Sequence, residues 1–145
     1  MYGRILIATD GSDLSEKAVD QGLALAKAVG AKVTILRVTS QPAPIVYEGV
    51  MVALPIDEIS EEIAKSVEKY FVTLRSKAGA LGIDPETIQI ENDFPWQVII
   101  DTARDKGAGL IVMASHGRRG ISAVLLGSET QKVLTHSELP VLVVR

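Results

Sequence analysis

Cysteine is absent from the chain, which excludes disulfides, thiolate metal sites and cysteine nucleophiles at once. Histidine is nearly absent too, and the two present, His116 and His136, stand too far apart to form a metal motif. Aromatic residues number only six (one Trp, three Tyr, two Phe), so aliphatic side chains must fill the core. No apolar run approaches the roughly 20 residues of a membrane helix, and no Pro/Gly/Ser-rich linker or shift in composition divides the chain. The opening MYGRILIATD turns polar at Thr9 and does not read as a leader, so a cytoplasmic location is the expectation. With a net charge of −3 and scattered basic residues, a nucleic-acid surface is disfavoured while a local anion site stays open. The Lys-Ser or Lys-Thr pair of a Walker loop is missing, as is G-x-G-x-x-G, which disfavours a P-loop NTPase or a dinucleotide dehydrogenase.

What is present reads as strands alternating with helices. Ile5–Ala8 is a short apolar run stopped by Thr9-Asp10-Gly11-Ser12, the pattern of a strand buried on both faces and followed by a turn. Asp13 and Glu16 then read as a capping box before a helix with Ala18, Gly22, Leu25, Ala26 and Val29 at helical spacing and a stop near Gly30. Val33–Val38 is the next strand. Ile59, Ile63, Val67, Tyr70, Leu74, Ala78 and Leu81 mark a long amphipathic helix ending at Gly82, with acidic Asp57, Glu58, Glu61 and Glu62 at its start. Ile88 and Ile90 alternate with polar residues in a third strand suited to an edge. Pro95 suits a first helical turn, with Val98, Ile99, Thr102 and Ala103 inward and an end near Gly107. Leu110–Met113 and Pro140–Val144 complete five strands. At 145 residues and 47% hydrophobic content, this alternation predicts one domain, 1–145, of the α/β class: a doubly wound open parallel five-stranded sheet with helices on both faces. The segment 39–56, TSQPAPIVYEGVMVALPI, is apolar without clear periodicity and fits a ligand cover, a partner contact or a packed loop.

Residues 109–130, GLIVMASHGRRGISAVLLGSET, run from strand to glycine-punctuated loop to helix start, an order of elements that makes an anion site. Gly117, Gly120 and Gly127 let the backbone turn N–H groups toward a phosphate, and Ser128 opens a helix whose first N–H groups favour negative charge. Ala114, Gly117, Gly127 and Ser128 read A-x2-G-x9-G-S. This spacing resembles the G-x2-G-x9-G-[S/T] nucleotide loop of the universal stress protein family, in its ATP-binding branch. The likeness runs from ILIATDGSDLSEKA through VTILRV, LIVMASHG and LLGS to PVLVVR. One position departs: Ala114 replaces the first glycine, at small cost if φ is negative and with strain if it is positive.

The resemblance implies strand order 3-2-1-4-5, with Asp10 and the 114–128 loop facing each other across the crevice where open α/β sheets bind ligands. It carries an ATP site onto Ala8, Thr9, Asp10, Val38, Met113, Ala114, Gly117, Gly127, Ser128 and Glu129, with magnesium arriving on the nucleotide. Asp10 would contact the nucleoside, although an Asx turn also accounts for it. Val38 would offer backbone groups to adenine, or only fill the core. Ser128 with Gln131 equally fits a helix-capping pair. Glu129 would repel a phosphate and is expected to point to solvent. Arg118 and Arg119 either reach phosphate oxygens or are solvated loop charges. Ser115 and His116, adjacent on an extended strand, should point to opposite sides, which argues against a nucleophile–base pair. His136 suits the carboxyl end of the last helix.

The resemblance also implies a homodimer in which the last strand, 140–144, pairs antiparallel across a two-fold axis with Val141 and Val143 at the interface. A monomer whose final helix and Arg145 shield that edge is the alternative. No general base or water-positioning group stands out near the phosphates, so binding is expected rather than efficient catalysis, with slow hydrolysis or self-phosphorylation implied only by the family. The expected function is a cytoplasmic stress-response protein that binds ATP as a dimeric nucleotide-responsive regulator, without nucleic-acid or membrane partners. The competing expectation is a nucleotide-free scaffold of the same fold, its site closed by Ala114 and Glu129. An enzyme that transfers adenylyl groups or holds flavin would need a substrate domain that so short a chain lacks.

Overall fold

Alternate residues of the apolar runs go to opposite faces of one sheet, and each face is covered by its own pair of helices. The computed structural model describes residues 1–118 and 125–145. Its elements are β1 (Arg4–Ala8), α1 (Asp13–Val29), β2 (Lys32–Thr39), β3 (Ile45–Tyr47), β4 (Val50–Val52), α2 (Ile56–Gly79), β5 (Glu86–Glu91), α3 (Pro95–Asp105), β6 (Leu110–Ala114), α4 (Ser128–His136) and β7 (Val141–Val144). Five strands pair in parallel in the order β5-β2-β1-β6-β7, which is the expected 3-2-1-4-5. Ile7 lies beside Ile35 of β2 and Val112 of β6, so the strand order reverses across β1.

Ile5, Ile7, Val33, Ile35 and Val112 face Val19 and Leu23 of α1 and Phe71 and Leu74 of α2. Leu6, Leu36, Ile111 and Met113 face Val98, Ile99 and Ala103 of α3 and Val133 of α4. The largest fully buried side chains are all Ile, Leu or Val, as the shortage of aromatics requires. Gly22 brings α1 unusually close to the sheet, since a Cβ there would stand 2.6 Å from Ile7 Cδ1.

Two local expectations are corrected. Ser12, not Asp13, caps α1: its Oγ accepts the Ser15 N–H at 3.3 Å, and its backbone is extended at φ −71, ψ 161. The physical reason lies upstream, where Gly11 at φ +77 turns the chain and Asp10 Oδ1 holds the Ser12 N–H. Glu16 is drawn instead to Tyr70 and Lys77. The second correction concerns 39–56, which contains an antiparallel hairpin, Ile45↔Val52 to Tyr47↔Val50, separate from the main sheet. Its turn places Glu48 and Gly49 consecutively at φ 49 and 77, the two left-handed residues of a type I′ turn. The ribbon shows no periodicity in sequence because both of its faces are apolar and exposed.

Candidate functional site

Asp10 follows β1, where the strand order reverses, and is bonded to the loop after β6. Asp10 Oδ1 accepts the Ser12 N–H at 2.9 Å, and Oδ2 accepts the Arg118 N–H at 2.9 Å. The residue therefore makes the Asx turn and also ties the loop after β6 to the end of β1. Burial alone would raise its carboxyl pKa, but hydrogen bonds from Ser12, the Arg118 backbone and Ser15 outweigh burial and hold it below the ordinary value. Thr9 turns the other way. Its buried hydroxyl lies 3.0 Å from Ser15 Oγ and 2.9 Å from Tyr70 Oη, and it accepts the Gly11 N–H at 3.2 Å. Tyr70 donates onward to Glu16, and burial together with that carboxylate keeps its hydroxyl protonated far above the usual phenol range. The Thr9 side chain thus belongs to the seam between β1, α1 and α2.

On the other face of the sheet, Ala8 and Val38 pack with Trp96, Ile88 and Ile90 against the core that holds Met113. Ala114 ends β6 with its methyl buried in the core beneath α1, and among the described residues Glu48 is the one non-glycine at positive φ. Its substitution for glycine therefore brings no strain, and its methyl is directed away from the loop.

At the start of α4, Gly127 is the N-cap at φ −62, ψ 154. The approach here is close: a Cβ would stand 3.1 Å from His116 Cα and 3.3 Å from Ser115 O, so the neighbouring backbone would have to give by a few tenths of an ångström. Its N–H already donates to Ser115 O at 2.7 Å. Ser128 is the first helical residue rather than the cap, so the expected pairing with Gln131 is not made; Gln131 Nε2 donates to Leu126 O. The first-turn N–H groups of α4 consequently receive no side-chain cap. Thr130 Oγ1 anchors this turn to Ala114 O at 2.9 Å.

Glu129 does not simply face solvent. One oxygen accepts the Trp96 N–H at 2.9 Å and the other lies 3.6 Å from Lys132 Nζ. The start of α3, where Phe94 offers no capping side chain, attracts the carboxylate away from the loop. His136 lies against Trp96 at 4.6 Å between ring centroids, and its Nδ1 donates to Lys132 O, a helix-end role as expected.

The expectation for Ser115 and His116 also changes, because β6 ends at Ala114 and a bend follows. The bend brings Ser115 Oγ within 3.4 Å of His116 Nδ1, a long contact. Arg118 Nη2 reaches to 3.0 Å from the point a Gly11 Cβ would occupy, and Arg37 Nη1 to 4.0 Å from the same point. Arg37 is a residue that the loop spacing does not point to. Its signal is one charge in the otherwise uncharged Val33–Val38 run, at the carboxyl end of a central strand. A cleft of about 370 Å³ lies between Ser12, Leu14 and Lys17 of the α1 side and His116, Gly117 and Arg118. Arg119 and Gly120 lie outside the described residues. Among the described residues no three His, Asp or Glu side chains gather as a metal site, and no helix is long and apolar enough to cross a membrane.

A family model described as the Universal stress protein family matches residues 1–145. Universal stress protein YxiE of Bacillus subtilis is 39% identical, with 100% of both chains covered. The solved structure of protein MJ0577 of Methanocaldococcus jannaschii is similar, with a TM-score of 0.82, 25% identity, and 99% of this chain and 96% of that chain covered. A universal stress protein solved in complex with cAMP gives a TM-score of 0.73 at 27% identity, covering 99% and 97%.

Proposed function

The chain belongs to the universal stress protein family, and on that premise we propose that it binds ATP at the carboxyl edge of its sheet and acts as a dimeric, nucleotide-responsive regulator in the cytoplasm. The observation that carries this reading is the bond from Asp10 at the end of β1 to the loop after β6, which leads to an α4 first turn without a side-chain cap. Adenine rests on Ala8, Val38 and Met113, the ribose meets Asp10, and the phosphates lie along Gly117 and the start of α4, where Ser128 adds a hydroxyl. Magnesium arrives on the nucleotide. Asp10 exchanges its bond to the Arg118 N–H for the nucleoside, which frees that donor for a phosphate oxygen. Ala114 and Glu129 leave the loop open, the methyl lying in the core and the carboxylate at α3. The relative solved with cAMP supports an adenine nucleotide as the ligand class. Binding rather than turnover fits the long Ser115–His116 contact, since no described side chain orients the imidazole.

Calorimetric titration of nucleotide-stripped protein with Mg-ATP, with AMP as control, tests the reading. Saturable binding that disappears in a folded Gly127→Val variant is expected; absence of heat and of any ATP-dependent rise in melting temperature overturns it.

The dimer forms through β7, which among the described residues pairs with β6 on one side only. The carbonyls of Pro140 and Val144 accept from Ile111 and Ser115 of the β6 side, so by strand alternation the backbone groups of Val141 and Val143 face the open edge. Leu142, 36% exposed, adds apolar side-chain surface. Antiparallel pairing of two such edges is isologous. Sedimentation of Val143→Pro should show monomers where the native chain shows dimers; a dimeric variant removes β7 from the interface.

A nucleotide-free scaffold is the second reading, favoured by the exposed apolar ribbon of β3 and β4. It predicts a protein indifferent to ATP whose associations are lost when Val46 and Met51 become lysine.

A further inference from the structure

Arg37 comes from the end of β2 and Arg118 from the loop after β6, and their guanidinium groups converge over Gly11 from the two sides of the crevice. The distances of 4.0 and 3.0 Å to the vacant Cβ position of Gly11 place Arg37 Nη1 and Arg118 Nη2 no more than about 7 Å apart. Gly11, at φ +77 and without a side chain, leaves the space between them clear. Among the described residues the half-buried Arg37 guanidinium makes no hydrogen bond and has no carboxylate within 4.0 Å. Asp10, the nearby carboxylate, already accepts an N–H on each oxygen. Lys17 adds positive charge on the cleft wall, and Asp13 at the start of α1 is the opposing charge there.

Arginine keeps its charge in any protein environment, so two such groups brought together, Arg37 half-buried and Arg118 exposed, repel unless an anion lies between them. A phosphate group satisfies both, because its oxygens accept the forked donors of each guanidinium. The position relative to α4 adds chain length to this chemistry. The first turn of α4 belongs to the face covered by α3 and α4, whereas Arg37 lies on the face of Thr9, Tyr70 and α1. A single phosphate group held at one face leaves the donors of the other unmet, whereas each further phosphate adds oxygens for the second set.

We propose that Arg37 and Arg118 clamp the terminal phosphate of a nucleoside polyphosphate and so select for phosphate-chain length; this rests on the reading that the crevice binds an adenine nucleotide. Three probes, ATP, AMP and inorganic tripolyphosphate, are titrated into nucleotide-stripped native protein, Arg37→Ala, Arg37→Lys and Arg118→Ala, with ligand-free melting curves for each. Arg37→Ala should weaken ATP and tripolyphosphate by about tenfold or more, while AMP stays within about twofold, as expected for losing a charge-assisted contact. Arg37→Lys keeps the charge without the fork and should fall between. Arg118→Ala, on an exposed loop, carries the same expectation should Arg37→Ala melt early. Equal loss of ATP and AMP, or no loss of ATP, overturns the clamp and leaves nucleotide binding standing. Arg37-dependent binding of tripolyphosphate without any binding of AMP or ATP supports the clamp and removes the nucleotide reading. No binding of any probe by the native protein overturns both.

Discussion

Gly117→Ala sets a methyl group against the carboxylate on which the crevice is built. A Cβ at Gly117 stands 2.4 Å from Asp10 Oδ2, against the 3.4 Å at which ordinary contact begins, so the carboxylate must retreat by about 1 Å. The hydrogen bond from the Arg118 N–H, now 2.9 Å, then leaves the bonding range. A hydrogen bond to a charged acceptor contributes about 1.5–3 kcal/mol, and the exposure of Arg118 lowers the expected loss to roughly 1–2 kcal/mol. Gly117 does not occupy the left-handed region, so alanine is permitted there and, by restricting the unfolded chain, returns about 0.4–1 kcal/mol. The net loss in the native background is on the order of 1 kcal/mol. In an Asp10→Ala background the clash is gone and the same substitution should stabilise by about 0.4–1 kcal/mol, a reversal of sign. Urea denaturation of the four proteins at one concentration and pH 7, followed by circular dichroism, measures the cycle. A Gly117→Ala effect of the same sign and size in both backgrounds refutes the close approach as the reason for glycine at this position.

Gly22→Ala drives a methyl to 2.6 and 2.8 Å from the Ile7 side chain, and this overpacking should cost about 1–3 kcal/mol in urea melts despite alanine's helix propensity, with Ile7→Val recovering part of the loss. The Asp10 carboxyl titrates below its ordinary value when folded, so its contribution to stability is present above about pH 4 and is lost as the pH falls through the folded value; Asp10→Asn should flatten the acid side of a stability–pH curve. Glu129→Ala removes the acceptor from the Trp96 N–H at the start of α3 and should cost about 0.5–2 kcal/mol in thermal or urea unfolding, with an unchanged melt refuting the cap.

The strands and helices were legible because their burial is close to all-or-none. Ile5–Ala8 and Leu110–Met113 are apolar throughout since both faces of the sheet are covered, and Gly30 ends α1 in the left-handed conformation only glycine adopts freely. The anion loop could be located by its glycines, but their reasons differ from those read in sequence. Gly127 is held by proximity to His116, and its N–H serves the loop rather than standing open. Residues 10–16 contain overlapping capping patterns, and the tertiary pull of Tyr70 and Lys77 on Glu16 chose between them. Glu129 was misplaced for a similar reason, as nothing near it in the chain announces the bare start of α3. Arg37 escaped notice because a long side chain leaving a strand end bends toward partners that only the assembled crevice supplies.

The β3–β4 ribbon has a consequence for how this molecule spends its time. Among the described residues its strands pair only with each other, and its side chains, 41–70% exposed, borrow almost nothing from the core. A lone two-stranded ribbon has little stability of its own, and Glu48 at φ 49 reduces it further. Opening it costs far less than unfolding the five-stranded sheet, so its amide protons exchange with solvent through many brief local openings during a single lifetime of the native fold.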